Sequence, residues 1–143
     1  MVYTPMTKRA LRIAFDAHKG QDDKSGLPYI FHPFHLAEQM DTEAAVCAAL
    51  LHDVVEDSTL TLEDLRAAGF SDEVLDAVAL LTRDKAVPYM TYIENLRQNP
   101  IATAVKLADL RHNSDLSRMD IIDDKTRRLE EKYREAIALL ERK

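Results

Sequence analysis

Eight consecutive apolar residues, Ala44-Ala45-Val46-Cys47-Ala48-Ala49-Leu50-Leu51, lead directly into His52-Asp53-Val54-Val55-Glu56-Asp57. The run lacks the alternation of a half-buried strand, and its alanines and leucines favour a helix. Asp41 or Thr42 can cap its start, and the helix is expected to run through Asp57, where Ser58-Thr59 breaks it. The rest of the chain shares the bias, with 46% hydrophobic residues, three glycines and no tryptophan among 143 residues. That mix favours an all-α fold over a sandwich or barrel, in one domain with enough apolar material for a real core.

The remaining punctuation is helical too. Thr4-Pro5 opens a first helix, residues 19–31 read as a loop, and a short helix is expected from Pro33. Thr61 with Asp64 starts another that Gly69 ends, and Ser71 caps the next. Pro88 opens a helix through Leu96, and Pro100 opens one through VKLADLRHN. A charged helix over about 124–142 turns Leu129, Tyr133, Ile137 and Leu140 inward. The expectation is a single domain over residues 1–143, a helical bundle of about seven or eight helices with no significant sheet.

Several classes are excluded. No apolar stretch approaches the ~20 residues that span a bilayer, and the N-terminus lacks a signal-peptide core, so no membrane role is expected. A net charge of −6 argues against a nucleic-acid partner. Cys47 is the one cysteine, so there is no disulfide framework, and a buried thiol in a cytoplasmic protein is expected. Nothing in the sequence sets an oligomeric state.

The acids and histidines carry the chemistry. On a continuous helix His52 and Glu56 share a face, as do Asp53 and Asp57, and neighbours point ~100° apart. Imidazole and carboxylate together suit Mn²⁺, Fe²⁺ or Zn²⁺, and the next turn can hold or activate water. A solvated helix end would explain His52, but Glu56 and Asp57 sit at the unfavourable negative end of the helix dipole. Asp109 lies in a mostly apolar stretch, three residues after Lys106 and four before Asn113, where a salt bridge to Lys106 or Arg111 is the plain alternative. His32 precedes Pro33 at a loop-to-helix junction, with His35 one turn on; a capping or core histidine is the default for either.

Taken in order, AHKGQDDK (17–24), PYIFHP (28–33), HDVVED (52–57) and KLADLRHN (106–113) resemble the HD-domain hydrolases of the RelA/SpoT type, in particular the small stand-alone alarmone hydrolases, over about residues 7–135. The resemblance implies metal ligands at His32, His52, Asp53 and Asp109, with Mn²⁺ the usual ion. It implies that Glu56 and Asp57 position or deprotonate the attacking water. The implied reaction is hydrolysis of guanosine 3′,5′-bis(diphosphate), or its 5′-triphosphate form, to pyrophosphate and GDP or GTP. Lys24, Lys106 and Arg111 become candidates for phosphate contacts, Asn113 for the nucleotide and Tyr133 for the nucleoside, with His18 in a supporting role. Two departures bear on substrate: Asp23 stands where the family usually has arginine, and ADLRHN replaces a commoner ADRLHN. Hydrolysis of another nucleotide or phosphorylated metabolite, or nucleotide sensing without catalysis, are the alternatives.

Overall fold

In the computed structural model, which describes residues 1–142, helices start where capping chemistry asks for them. Thr4 and Thr7 exchange side-chain and backbone bonds to open α1 (Pro5–Ala17), with Pro5 in the first turn. A loop then leads to α2 (Phe31–Glu38). Thr42 caps α3 (Glu43–Leu51), which is followed by the single turn α4 (Val54–Asp57). Thr61 and Asp64 form a reciprocal box at α5 (Leu62–Ala67), and Ser71 caps α6 (Asp72–Leu81). Pro88 precedes α7 (Tyr89–Leu96), Asn99 caps α8 (Pro100–Asn113) and Asp123 caps α9 (Asp124–Glu141). Gly69, at φ 99°, turns the chain after α5 in the left-handed region where a side chain would be strained.

Two boundaries differ from those read in the sequence. α2 begins at Phe31, two residues before Pro33; the third helical position has no intrahelical acceptor for its N–H, so proline loses no bond there. The helix ending in HDVVED is also not continuous. His52 folds back so that its Nδ1 donates to the Ala49 carbonyl at 2.6 Å. That is the carbonyl a continuing helix would offer to the Asp53 N–H. Asp53 takes φ −107° and ψ −1°, and α4 starts anew. Among the described residues, α3 and α4 counted as the one helix expected leave eight α-helices; counted apart, nine. No strand occurs among the described residues, only an isolated bridge between Asp22 and Pro28 in the α1–α2 loop.

α3 is the axis of the bundle, with every residue from Ala45 to Leu51 buried and α1, α2, α6 and α8 packed around it. Full burial of Val46, Leu50 and Leu51 contributes about 1.5–3 kcal/mol each. Burial, with Glu43 nearby, pushes the Cys47 thiol up to about 12, so it packs as a small hydrophobe. α9 lies over α7 and α8, burying Ala136, Leu139 and Leu140 and partly covering Tyr133 and Ile137. Among the described residues no helix is long and apolar enough to cross a membrane. Wrapping α2 and α8 around the end of α3 brings three distant sequence segments to one point.

Candidate metal centre and adjoining cleft

His32 from the first turn of α2, His52 just past α3 and Asp109 from α8 are all buried, and their donor atoms lie within 4.8 Å of one another. His32 Nε2 is 2.7 Å from Asp109 Oδ1. His52 Nε2 lies 3.0 Å from Asp53 Oδ2 and 3.7 Å from Asp109 Oδ1. Because His52 Nδ1 is spent on the Ala49 carbonyl, the neutral ring presents a lone pair at Nε2. That buried nitrogen has no aligned hydrogen-bond partner among the described residues. A lone pair facing two carboxylates is repulsive until Nε2 takes a proton or a metal ion, and an imidazole held through its other nitrogen is the usual setting of a metal-bound histidine. The donor set fits a divalent ion that accepts nitrogen and oxygen.

The surrounding charges agree. Burial opposes charge on His52, yet Asp53 and Asp109 hold its proton affinity well above the ordinary value, the mark of a place that prefers a positive charge. Burial would raise Asp109, but Lys106 and the two histidines keep its carboxyl well below the usual range. Asp53 likewise resists burial, and His52 draws it down to about 2. Lys106 Nζ donates to Asp109 Oδ2 at 2.9 Å and Asn113 Nδ2 to Oδ1 at 3.0 Å, so this carboxylate is held on several sides.

Glu56 and Asp57 stand exposed at the rim. Glu56 accepts the Arg83 backbone N–H, and Asp57 accepts from Gln21 Nε2 at 3.4 Å. Partial burial pushes both carboxyls up, helped by the nearby Asp53 charge. With the helix broken at Asp53, Glu56 no longer shares a continuous helix face with His52, whereas Asp57 stays one turn on from Asp53, its N–H donating to the Asp53 carbonyl at 3.0 Å.

A cavity of ~120 Å³ opens beside His32, lined also by Asp23, Lys24, Tyr29, Asn113 and Arg118. It continues past Lys24 and Asn113 to Tyr133, whose hydroxyl accepts from Lys24 Nζ at 2.8 Å. A larger depression of ~530 Å³ beside α1 touches Asp57 but has neither histidine nor basic residue in its walls. The smaller cavity is the one that joins His32 of the buried cluster to the side chains of Lys24, Asn113 and Arg118. Of the cations singled out in the sequence, Lys24 lines it. Lys106 is committed to Asp109. Arg111 points outward to Glu141 at 2.5 Å, two positions and ~200° around α8 from Asp109.

Sequence reading passed over three contributors. The Tyr29 hydroxyl donates to Asp53, and burial followed by the Asp53 charge raises its own pKa. His112 Nδ1 lies 2.6 Å from His32 Nδ1, within hydrogen-bond distance, with the rings nearly parallel at 9°. Burial and the His32 and Arg118 charges push His112 down to about 4, so it stands uncharged beside the site. Both lie inside blocks already singled out, PYIFHP and KLADLRHN, where attention fell on their neighbours. Arg118 lies in a segment with no such signal. His18, read as a supporting residue, is buried, packs on Tyr29 at 4.7 Å and holds the Gln21 side chain at 3.0 Å.

The fold and this cluster define a helical metal-site domain. A family model described as HD domain matches residues 10–135, and the chain belongs to that family. A guanosine-3′,5′-bis(diphosphate) 3′-pyrophosphohydrolase of Haemophilus influenzae is 40% identical over 116 residues, covering 71% of this chain and 17% of that protein. The bifunctional (p)ppGpp synthase/hydrolase SpoT of Escherichia coli is 36% identical over 121 residues, 74% of this chain and 17% of the relative. The chain thus spans about a sixth of the length of these curated relatives. A solved structure described as a metazoan ortholog of SpoT that hydrolyzes ppGpp superimposes with a TM-score of 0.79 at 25% identity, over 98% of this chain and 87% of that one.

Proposed function

We propose that this chain is a metal-dependent phosphohydrolase, with guanosine 3′,5′-bis(diphosphate) as substrate and pyrophosphate and GDP as products; the 5′-triphosphate form would leave GTP. The observation that carries the reading is the convergence of His32, His52 and Asp109 within 4.8 Å beside a cavity walled by Lys24 and Asn113. The names of the relatives and of the matching structure point to the same substrate.

His32, His52, Asp53 and Asp109 would hold the ion, Mn²⁺ first, with Fe²⁺ and Zn²⁺ also suited to such ligands. When bound, a divalent ion lowers the pKa of a water and offsets charge on the phosphate. Glu56 accepts the proton of the attacking water, its raised pKa bringing it closer to the working range. The water oxygen joins the phosphorus attached to the 3′ oxygen, that O–P bond breaks, and the 3′ oxygen leaves and takes up a proton. Asp57, steadied by Gln21, orients the same water. Lys24 and Asn113 meet the nucleotide, and Tyr133 aims the Lys24 ammonium. A nucleotide substrate and a single unpaired thiol fit a reducing cytoplasm.

The test is purified protein with Mn²⁺ against a panel of nucleotides, following pyrophosphate and orthophosphate separately. Pyrophosphate and GDP from guanosine 3′,5′-bis(diphosphate) are expected. Turnover of another nucleotide with none of this one would sink the substrate assignment.

A further inference from the structure

The 3₁₀ turn Leu116–Arg118 ends on a guanidinium that is held from two sides. Arg118 Nη1 donates to the His112 carbonyl at 2.8 Å, and Nη2 donates to Asp23 Oδ2 at 3.1 Å. Asp23 is pinned in turn, since its Oδ1 accepts from the Ser25 N–H at 2.8 Å, the Ser25 hydroxyl at 2.7 Å and the Leu27 N–H at 3.0 Å. The side chains of Asp23 and Arg118 are 7% and 22% exposed. A partly buried ion pair contributes little net stability, because desolvation and screening offset the attraction. It does hold the guanidinium plane in one orientation, across 95 residues of sequence.

Position and charge indicate what that plane meets. Arg118 lines the same cavity as the metal-side His32 and as Lys24 and Asn113. Its charge is already compensated by Asp23, which weakens its pull on a phosphate but leaves its flat face suited to a planar ring. Lys24 supplies the complementary part: its ammonium reaches the Tyr133 hydroxyl and has no carboxylate partner among the described residues. We infer that Arg118, fixed by Asp23, is the base-recognising residue of this cleft, its guanidinium stacking on the purine of the nucleotide while Lys24 takes a phosphate. The inference rests on the nucleotide-hydrolase reading of the site.

Titration calorimetry of the manganese-loaded protein with GDP, and separately with inorganic pyrophosphate, tests it in the wild type, Arg118→Ala and Arg118→Lys, with melting curves and metal content as controls. Loss of a stacked base should weaken GDP about tenfold or more in both variants, because lysine restores the charge without the plane. Pyrophosphate binding and metal content should be unchanged. Full GDP affinity in Arg118→Lys, an equal loss for pyrophosphate, or unaltered GDP binding in Arg118→Ala would each overturn it. Turnover of guanosine 3′,5′-bis(diphosphate) run alongside separates the two claims. GDP binding that depends on Arg118 without pyrophosphate release keeps this inference and sinks the reaction. Wild-type turnover with GDP binding indifferent to Arg118, or with no GDP binding at all, does the reverse, and a wild type that neither binds GDP nor releases pyrophosphate overturns both.

Discussion

Lys106 Nζ lies 2.9 Å from Asp109 Oδ2, one turn earlier on the same face of α8, while the other oxygen of that carboxylate faces the two buried histidines. The lysine is thus a neutralising strut behind the proposed metal ligand, with its side chain 13% exposed. Lys106→Met would leave Asp109 buried without its cation, a loss that typically costs about 3–5 kcal/mol. Thermal melts should show that deficit in metal-free protein. They should show it narrowed with Mn²⁺, which supplies positive charge on the opposite side.

Tyr29→Phe removes the hydroxyl that bonds Asp53 and leaves the ring packed on His18 and His32. Loss of such a supporting bond typically lowers metal affinity about 10–100-fold. Manganese titration should register that drop with little change in melting temperature of the metal-free protein. An unchanged affinity would remove Tyr29 from the site.

Glu56→Gln should separate stability from activity. Burial holds the folded Glu56 carboxyl above its ordinary value of 4.5. The folded state therefore disfavours the charged form, a penalty absent at low pH that grows as pH rises through the folded pKa. In metal-free protein the variant should melt higher than wild type at pH 7, with the difference shrinking as pH falls and gone by about pH 3, below the ordinary glutamate value. Turnover should fall about 10²–10⁴-fold, the usual loss for a general base.

Arg111→Ala tests the phosphate role that the sequence suggested. The guanidinium is 57% exposed and paired with Glu141 on the outer side of α8. Surface pairs of this kind contribute about 0–1 kcal/mol. Both KM for the nucleotide and the melting temperature should stay close to wild type; a tenfold rise in KM would show that α9 moves aside to let Arg111 reach the substrate.

Local chemistry made much of this fold legible. Thr4, Thr42, Thr61 with Asp64, Ser71 and Pro100 mark helix starts because each satisfies or spares an orphan N–H at its own position. His32, His52 and Asp109 come together in the sequence only through the resemblance carried by their blocks, since each alone reads equally well as a capping, core or salt-bridged residue. What escaped depends on the folded chain. The break at Asp53 accompanies His52 taking the Ala49 carbonyl, a rotamer that buries the ring against His32 of α2 and Asp109 of α8. The commitment of Lys106 and the outward turn of Arg111 come from the phase of α8, which is set by packing on α3. Asp23 reads as a departure from a resembled family until Arg118, far along the chain, is seen against it.

The most direct test of the central claim strips the protein of metal and restores Mn²⁺ in steps, reading pyrophosphate release from guanosine 3′,5′-bis(diphosphate) against metal bound, with Asp53→Ala in parallel. The stripped protein should be inactive, the rate should rise with bound metal and level off at one ion per chain, and Asp53→Ala should lose metal and turnover together. Pyrophosphate released by the stripped protein, or by Asp53→Ala at the wild-type rate, would contradict the account.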